Sequence, residues 1–370
     1  MSAPAAPRRR RFPLAIHAER RLETPRGLGV VTTIGAVVVA LFISAALIWL
    51  IGGDPVNAYA HIVRSSLGSV GVLSDTLVKA TPLIFTGLAC SVAFRMRLWN
   101  IGAEGQLMMG AWGASAIVLA GWLPEGTPGF VYLPLMMVAG VAAGALWAGI
   151  AGWLKARLNV NEIITTLMMV YIAIKWVQFW VFGPWSDGGF QMSPRFPREA
   201  WLPRLTDYSS SVPDFGGLTV HLGFILAIIA AGLVWVFLNR SRKGYEIRLI
   251  GDNPRAARYA GIDIGRTIIL VMLISGALAG LAGATEISGV VHRLQDNFSP
   301  GYGFTGIIVA FLARFNPLGV VVAAIAFGAL ILAGREIQPA GIPAMIQGII
   351  LFCVIASDVF LRYRVRLVRP

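Results

Sequence analysis

Long apolar segments dominate this 370-residue chain, and each is long enough to cross a lipid bilayer, which takes about 20 residues. The clearest are residues 28–51, 70–94, 130–153, 218–238 and 267–290. Hydrophobic residues make up 56% of the chain and charged residues 13%, which excludes an ordinary soluble domain. The sequence therefore predicts an all-α polytopic membrane protein.

The positive charge is concentrated at the ends of the apolar segments. The net charge is +13, and the tails at residues 1–27 and 362–370 are both rich in arginine. Because basic residues mark the cytoplasmic side of a membrane protein, this pattern indicates topology rather than nucleic-acid binding. We expect about ten transmembrane helices, with the N- and C-termini in the cytoplasm.

One apolar segment is too short to cross a bilayer. Residues 304–313 span about half of it, and Asn316-Pro317 interrupts the chain before residues 318–333. Short, broken membrane segments are tolerated where the backbone is buried in protein or lines a cavity. The sequence therefore predicts a broken half-span near residues 303–317, of a kind that often marks a transport pathway.

The basic loop at residues 239–266 contains signals for two short surface elements. Gly244 and Gly251 punctuate it, and Asn253-Pro254 is a helix-start signal because asparagine caps the helix and proline fits its first position. The next residues favour a short helix that Gly261 can end. The alternative is a solvated basic loop that only sets topology.

The longest external loop is predicted at residues 183–217. It is rich in proline and tryptophan, and its arginines are balanced by acidic residues. Such a loop is large enough to contact a soluble partner, although a simple tether is also compatible with it. A helical apolar stripe at residues 55–67 is expected to lie on the outer membrane surface.

A few polar and aromatic side chains stand inside apolar surroundings and are candidates for contact with a transported solute. They are Asn100, Glu104, Gln106, Glu286, Tyr302 and Phe304. Polar groups within membrane segments are costly, which favours a functional role. Each polar residue could instead stabilise helix packing, Glu286 could reach the interface, and the two aromatic residues could serve only in packing.

The sequence lacks the motifs of an enzyme. Its lysines are not followed by Ser or Thr, so there is no phosphate-binding P-loop, and no nucleophile–histidine arrangement is evident. The scattered histidines and the two cysteines predict no metal site. We therefore expect no cofactor on this chain, and any energy for transport must come from an ion gradient or from another subunit.

Several stretches carry a resemblance to a known family. They are PLIFTGLACSVAFRMRLWNIGAEGQ, NEIITTLMMVYIA, GYEIRLIGDNPRAARYAGI, GATEISGVVHRLQDNFSPGYGFTGIIVAFLARFNPLG and, more weakly, IPAMIQGIILFCVIASDVF. The chain resembles inner-membrane permease subunits of ABC importers, in the nucleoside and simple-sugar branch that is related to ribose and branched-chain amino acid permeases. Residues 28–361 would then form the permease transmembrane domain.

The resemblance implies a set of partners and a role for the basic loop. The partners are an ATPase with two nucleotide-binding domains, a second and often non-identical permease, and a periplasmic or lipid-anchored substrate-binding protein. ATP would be used by the ATPase, and the loop would couple that ATPase to the permease. The implied coupling residues are Gly244, Gly251, Asn253, Pro254, Arg255, Ala257, Arg258 and Gly261.

The expected function is thus the translocation pathway of an ATP-driven importer for nucleosides or a related small polar solute. A permease of the same family for simple sugars is an alternative. A gradient-driven secondary transporter should hold a buried acid central to its mechanism, and the chain has few such acids. An inert scaffold would not keep costly polar groups in the bilayer.

Overall fold

The computed structural model describes residues 15–20, 27–124, 126–334 and 341–368, which contain thirteen α-helices and two short β-strands. The first helices are α1 (Leu28–Leu50), α2 (Pro55–Leu67), α3 (Val70–Arg95), α4 (Ala103–Leu119), α5 (Gly129–Leu158), α6 (Glu162–Phe182) and α7 (Leu222–Arg240). The remaining helices are α8 (Arg242–Asp252), α9 (Pro254–Tyr259), α10 (Ile264–Glu286), α11 (Tyr302–Leu312), α12 (Pro317–Ala333) and α13 (Ile342–Arg362).

Seven helices of the described chain are long and apolar enough to cross a membrane: α1, α3, α5, α6, α7, α10 and α13. This confirms a polytopic helical membrane protein. Helix α3 is buried along almost its whole length and packs against α7, α10, α11 and α12, which makes it the centre of the bundle. The expected count of ten crossings also needs the shorter helices α4, α11 and α12, and it stays a prediction.

The predicted break in the apolar sequence is present as a tight turn between two helices. Helix α11 has only 11 residues, and Arg314 and Phe315 after it adopt positive φ angles of 51° and 58°. The Asn316 side chain then accepts a hydrogen bond from the Leu318 N–H, with Pro317 at the first helical position. Residues 55–67 also form a helix, α2, and its place on the outer membrane surface stays a prediction.

Helices α4, α5 and α10 approach one another so closely that glycine is required at their contacts. A Cβ atom added at Gly280 of α10 would lie 2.3 Å from the Gly140 carbonyl oxygen of α5. One added at Gly110 of α4 would lie 2.2 Å from the Gly280 carbonyl oxygen. Side-chain atoms cannot be that close, so the small residues allow the backbones to touch.

Two terminal strands add a small sheet that the sequence analysis did not predict. Strand β1 (Ala15–Arg20) pairs antiparallel with β2 (Tyr363–Val368), so that Ala15 lies opposite Val368 and Arg20 opposite Tyr363. The pairing places the segment before α1 and the segment after α13 at the same end of the bundle. The sequence YRVRLV of β2 alternates with a period of two, which is the pattern of a strand.

The loop at residues 183–217, which the sequence predicts to be external, covers the C-terminal end of α10. Its backbone N–H groups donate hydrogen bonds to the chain just after α10: Phe196 to the His292 carbonyl at 2.9 Å and Leu202 to the Ser288 carbonyl at 3.0 Å. A π-helical turn at Ile287–Val291 provides part of this contact. The loop is therefore an ordered cap rather than a loose tether.

The glycine contact between α5 and α10 predicts a sharp effect of a single methyl group. We expect Gly280→Ala to destabilise the protein by about 1–3 kcal/mol, because both neighbours of the new methyl are backbone and cannot turn aside. The measurement is the thermal unfolding midpoint of the purified chain in detergent. Gly232→Ala in α7 is the matched control, since a Cβ there meets nothing within 4 Å. Equal midpoints for the two variants would contradict the packing described here.

Candidate functional site

The first turn of α11 lies beside the middle of α3, deep in the bundle. The Thr86 hydroxyl of α3 donates a hydrogen bond of 3.0 Å to the Tyr302 carbonyl, and Ser299 accepts from the N–H groups of Gly301 and Tyr302 at 3.2 Å. Helix α11 therefore begins inside the protein and runs toward the end that carries β1 and β2. Such a buried start is the arrangement seen where transporter helices are discontinuous.

Glu104 joins the start of α4 to the start of α11. Its carboxylate accepts a hydrogen bond of 2.6 Å from the Gly303 N–H, and the side chain is buried. A Cβ atom at Gly303 would lie 2.2 Å from the Glu104 nitrogen, so the two helix starts are in direct contact. A carboxylate at this position satisfies a free N–H group and interacts favourably with the positive end of the helix dipole.

A buried ion pair stands on the other side of Tyr302. Lys79 of α3 donates to the Tyr302 hydroxyl at 3.1 Å and lies 3.7 Å from the carboxylate of Glu286, the last residue of α10. The Tyr302 hydroxyl donates to the same carboxylate at 3.4 Å. The three side chains, which we call the Lys79 triad, are all buried and connect α3, α10 and α11.

A neutral polar network holds the start of α4 against α10 and α3. The amide groups of Asn100 and Gln106 exchange two hydrogen bonds, at 3.0 and 2.9 Å. Asn100 also donates to Ser275 at 2.9 Å, and Ser275 donates to the Ala89 carbonyl at 2.7 Å. Each of these polar groups is buried, so the network compensates for the loss of water around them.

Five of the six predicted pathway residues are therefore buried and bonded to other parts of the chain. They are Asn100, Glu104, Gln106, Glu286 and Tyr302. Only Phe304 is open to the surroundings, with 43% of its surface exposed on α11. These contacts agree with the packing alternative for the five buried residues, and contact between any of the six and a solute stays a prediction.

Lys79 is the site residue that the sequence analysis missed. It is a single lysine in an otherwise apolar segment that also contains Thr81-Pro82. An ionisable residue within a membrane span marks a functional position by default, and that signal was available in the sequence. Its pairing with Glu286, more than 200 residues away, needed the structure.

The basic loop forms the two short helices α8 and α9, as predicted. Asn253 accepts hydrogen bonds from the N–H groups of Arg255 and Ala256, both at 3.1 Å, and Pro254 is the first residue of α9. Gly261 follows the helix with a φ angle of +73°, which side chains other than glycine's rarely allow. The predicted start and end of this helix are confirmed.

Two glycines allow the backbone of α8 to pack directly against the membrane helices. A Cβ atom at Gly244 would lie 2.3 Å from the Phe237 carbonyl oxygen of α7, and one at Gly251 would lie 2.4 Å from the Arg95 carbonyl oxygen of α3. The two ends of α8 thus rest on two different membrane helices. Displacement of α8 would act directly on both.

Helix α9 has an exposed face of basic and aromatic side chains that points away from the bundle. Arg255 and Arg258 are exposed, and Tyr259 is 94% exposed, while Ala257 is fully buried against the bundle. A tyrosine with almost no protein contact is typical of a residue that packs against a partner. The family resemblance pointed to the arginines but not to Tyr259, because nothing in the sequence showed which side of α9 would face the bundle.

A cluster of polar and aromatic side chains at the C-terminal end of α10 holds the loop at residues 183–217 in place. Arg204 donates to the Gly289 carbonyl at 2.7 Å and to Nε2 of His292 at 2.7 Å, while the His292 ring stacks on Trp201 at 3.7 Å. Burial and, next, the nearby Arg204 charge lower the pKa of His292 to about 4. The ring is therefore neutral at physiological pH and can accept the hydrogen bond from arginine.

Comparison with known proteins identifies the bundle that carries these features. The sequence model of the family described as "Branched-chain amino acid transport system / permease component" matches residues 72–355, which include most of α3, all of α4 to α12 and most of α13. This chain belongs to that family of ABC permeases. As a permease it is a transport component, and the Lys79 triad, α8 and α9 all lie within the matched region.

Several curated permeases are similar over most of the chain. A glucose ABC transporter permease protein of Haloferax volcanii is 36% identical over 95% of this chain and 93% of its own length. A guanosine ABC transporter permease protein of Bacillus subtilis is 37% identical over 86% of this chain and 91% of its own. A nucleoside ABC transporter permease protein of Lactococcus lactis is 32% identical over 86% of this chain and 88% of its own.

Each of these three organisms also has a second permease protein that matches this permease more weakly. The identities are 26% or 27%, over 70% or 71% of this chain. In each of the three organisms, this chain is therefore more similar to one of the two permease proteins than to the other.

The Lys79 triad gives a prediction that does not depend on the transported solute. Lys79→Met should leave the Glu286 carboxylate in an apolar site without its cation and destabilise the permease by about 3–5 kcal/mol. Glu286→Leu should destabilise the permease by a similar amount, because it leaves the Lys79 ammonium group without its carboxylate. The double variant should be more stable than either single variant, because no unpaired charge remains. Thermal unfolding midpoints of the four proteins measure this cycle, and additive losses would show that the two charges do not interact.

Proposed function

We propose that this permease forms the translocation pathway of an ATP-driven importer for nucleosides or a related small polar solute. The proposal rests on its similarity, over 86% of the chain, to permeases named for guanosine and for nucleosides. It resides in the cell inner (cytoplasmic) membrane, with both termini in the cytoplasm. A simple sugar is the second candidate cargo, because the relative from Haloferax volcanii is named for glucose.

The surface helices α8 and α9 couple the permease to an ATPase subunit with two nucleotide-binding domains, which uses the ATP. Two features support this assignment: the exposed face with Arg255, Arg258 and Tyr259, and the close glycine contacts of α8 with α7 and α3. A push on α9 by the ATPase reaches α3 through a stiff contact rather than through a flexible loop. Closely packed helices respond to such a push by switching between discrete arrangements.

The pathway runs beside α11 and is completed by a second, non-identical permease. The second permease proteins of the three organisms support a heterodimer. Phe304 faces the pathway, where its exposed ring can stack on a nucleobase. The buried residues Asn100, Glu104, Gln106, Glu286 and Tyr302 hold α4 and α11 in place and so shape the pathway. The ordered external loop receives the substrate-binding protein.

The coupling assignment is tested by charge reversal on α9. The permease, its ATPase, the second permease and the binding protein are reconstituted in proteoliposomes, and uptake of a nucleoside panel is measured with and without ATP. We expect Arg255→Glu together with Arg258→Glu to reduce ATP-dependent uptake at least tenfold, because like charges and lost contacts weaken docking of the ATPase. Arg157→Glu is the control, since Arg157 is also exposed but lies in the last turn of α5, outside the surface helices.

The same assay separates the alternatives. Uptake that ignores ATP and follows a proton or sodium gradient would refute the ABC mechanism for this chain. ATP-dependent uptake of sugars but not of nucleosides would keep the mechanism and replace the cargo. An equal loss of uptake in the Arg157→Glu control would show that the effect is not specific to α9.

Phe304 gives a separate prediction about the cargo. If its ring stacks on a nucleobase, Phe304→Ala should raise the apparent KM for guanosine uptake about tenfold, since such stacking is worth about 1–3 kcal/mol. Phe304→Trp should retain uptake. Phe42→Ala on α1 is the control, because Phe42 is also exposed but lies on another helix. An unchanged KM for Phe304→Ala would remove this residue from the pathway.

A further inference from the structure

A basic cavity of about 410 Å³ opens at the end of the bundle that carries β1 and β2. It lies between the first turn of α1, the ends of α3 and α7, and the turn that joins α11 to α12. Two arginines line it, Arg95 and Arg314, together with Asn239 and Trp235. Its lining within the described chain includes no carboxylate. We call this cavity the Arg95 pocket.

Within the described residues the Arg95 side chain bonds to no acceptor, although the carboxylates of Asp252 and Asp358 line an adjoining cavity with it. Its Nε atom is buried. Arg314 is different, because its guanidinium donates to the hydroxyls of Thr33 at 2.6 Å and Thr32 at 2.7 Å and is thereby fixed at the cavity wall. A guanidinium carries several N–H donors in a fixed fork, so Arg95 can still bond to an anion that enters the cavity from its other side.

The start of α1 adds to the positive character of the same cavity. Gly27 caps this 23-residue helix without a side-chain hydrogen bond, and Gly29 and Val30 of its first turn line the cavity. Free N–H groups and the helix dipole favour an anion at such a position. The two arginines and the helix start therefore converge on one region.

The surfaces beside the cavity are apolar and exposed. On α1 they include Val31 and Ile34, and on α7 they include Leu233 and Val236. These helices cross the membrane, so their exposed apolar side chains suit acyl chains. Trp235 at the cavity is typical of a membrane interface. A soluble anion would use the arginines but not the apolar flanks, whereas a phospholipid uses both.

We propose that the Arg95 pocket binds the phosphate of an anionic phospholipid, whose acyl chains lie along α1 and α7. Basic pockets between transmembrane helices are suited to such headgroups. The proposal does not rest on the cargo or on the coupling helices. The bound lipid links α1, α3 and α7 at the level where Gly251 of α8 contacts the Arg95 carbonyl.

The test is native mass spectrometry of the full-length permease, purified with its partner subunits and titrated with dioleoyl phosphatidylglycerol or phosphatidylcholine. We expect phosphatidylglycerol to bind more tightly, and Arg95→Gln to lower its apparent affinity about tenfold, as for the loss of one charge-assisted hydrogen bond. Arg97→Gln is the matched control. Arg97 lies two residues away, is exposed and does not line this cavity. The affinity of the Arg97→Gln variant for phosphatidylglycerol should therefore be unchanged.

A second variant covers the case in which Arg95→Gln fails to fold. Gly29→Met fills the cavity beside Arg314 and keeps both arginines, and it should also lower phosphatidylglycerol binding. Unchanged phosphatidylglycerol binding in the folded variants would overturn the proposal. So would binding of inorganic phosphate that depends on Arg95 when lipid binding does not, which would indicate a soluble anion. Loss of the ATPase in Arg95→Gln with unchanged lipid binding would instead assign Arg95 to a protein carboxylate.

Discussion

A helix that begins inside a membrane protein must find partners for its first N–H groups, because no water is present to bind them. Helix α11 meets this constraint with acceptors from two places in the sequence. Glu104 accepts from Gly303, and Ser299 accepts from Gly301 and Tyr302. Thr86 meanwhile ties the Tyr302 carbonyl to α3. The half-span can therefore exist only while α3, α4 and the segment before α11 keep their relative positions.

The Lys79 triad extends the same dependence to α10. Its ion pair is buried, unlike surface ion pairs, which contribute little to stability. The loss of one charge would leave the other unpaired in an apolar site. Tyr302 belongs both to the triad and to the first turn of α11. A shift of α3 relative to α10 would thus disturb the start of α11 through Lys79 and Thr86 together. Because Tyr302 is shared in this way, a small displacement of α3 would change the position of α11 in the middle of the bundle.

The parts of the fold that the sequence predicted correctly are those with local signals. Asn253-Pro254 and Asn316-Pro317 each combine a capping side chain with a residue that fits only the start of a helix, so both boundaries could be located without tertiary information. The Lys79–Glu286 pair and the β1–β2 sheet depend on residues far apart in the chain, and no local pattern specifies such partners. The exposure of Tyr259 and Phe304 depends on which face of a helix packs inward, and this too is a tertiary property.

Helix α3 contacts the buried ion pair, the start of α11, the polar network, α8 and the basic cavity. Its Lys79 belongs to the ion pair, its Thr86 holds α11, and its Ala89 carbonyl accepts from the Ser275 hydroxyl of the polar network. Its last residue, Arg95, touches α8 through the carbonyl beside Gly251 and lines the basic cavity with its side chain. Because these contacts follow one another along a single stiff helix, α3 cannot move at the surface without moving in the core. A force on α8 and an anion at Arg95 would therefore act on the same element, and the first turn of α11 would respond to both.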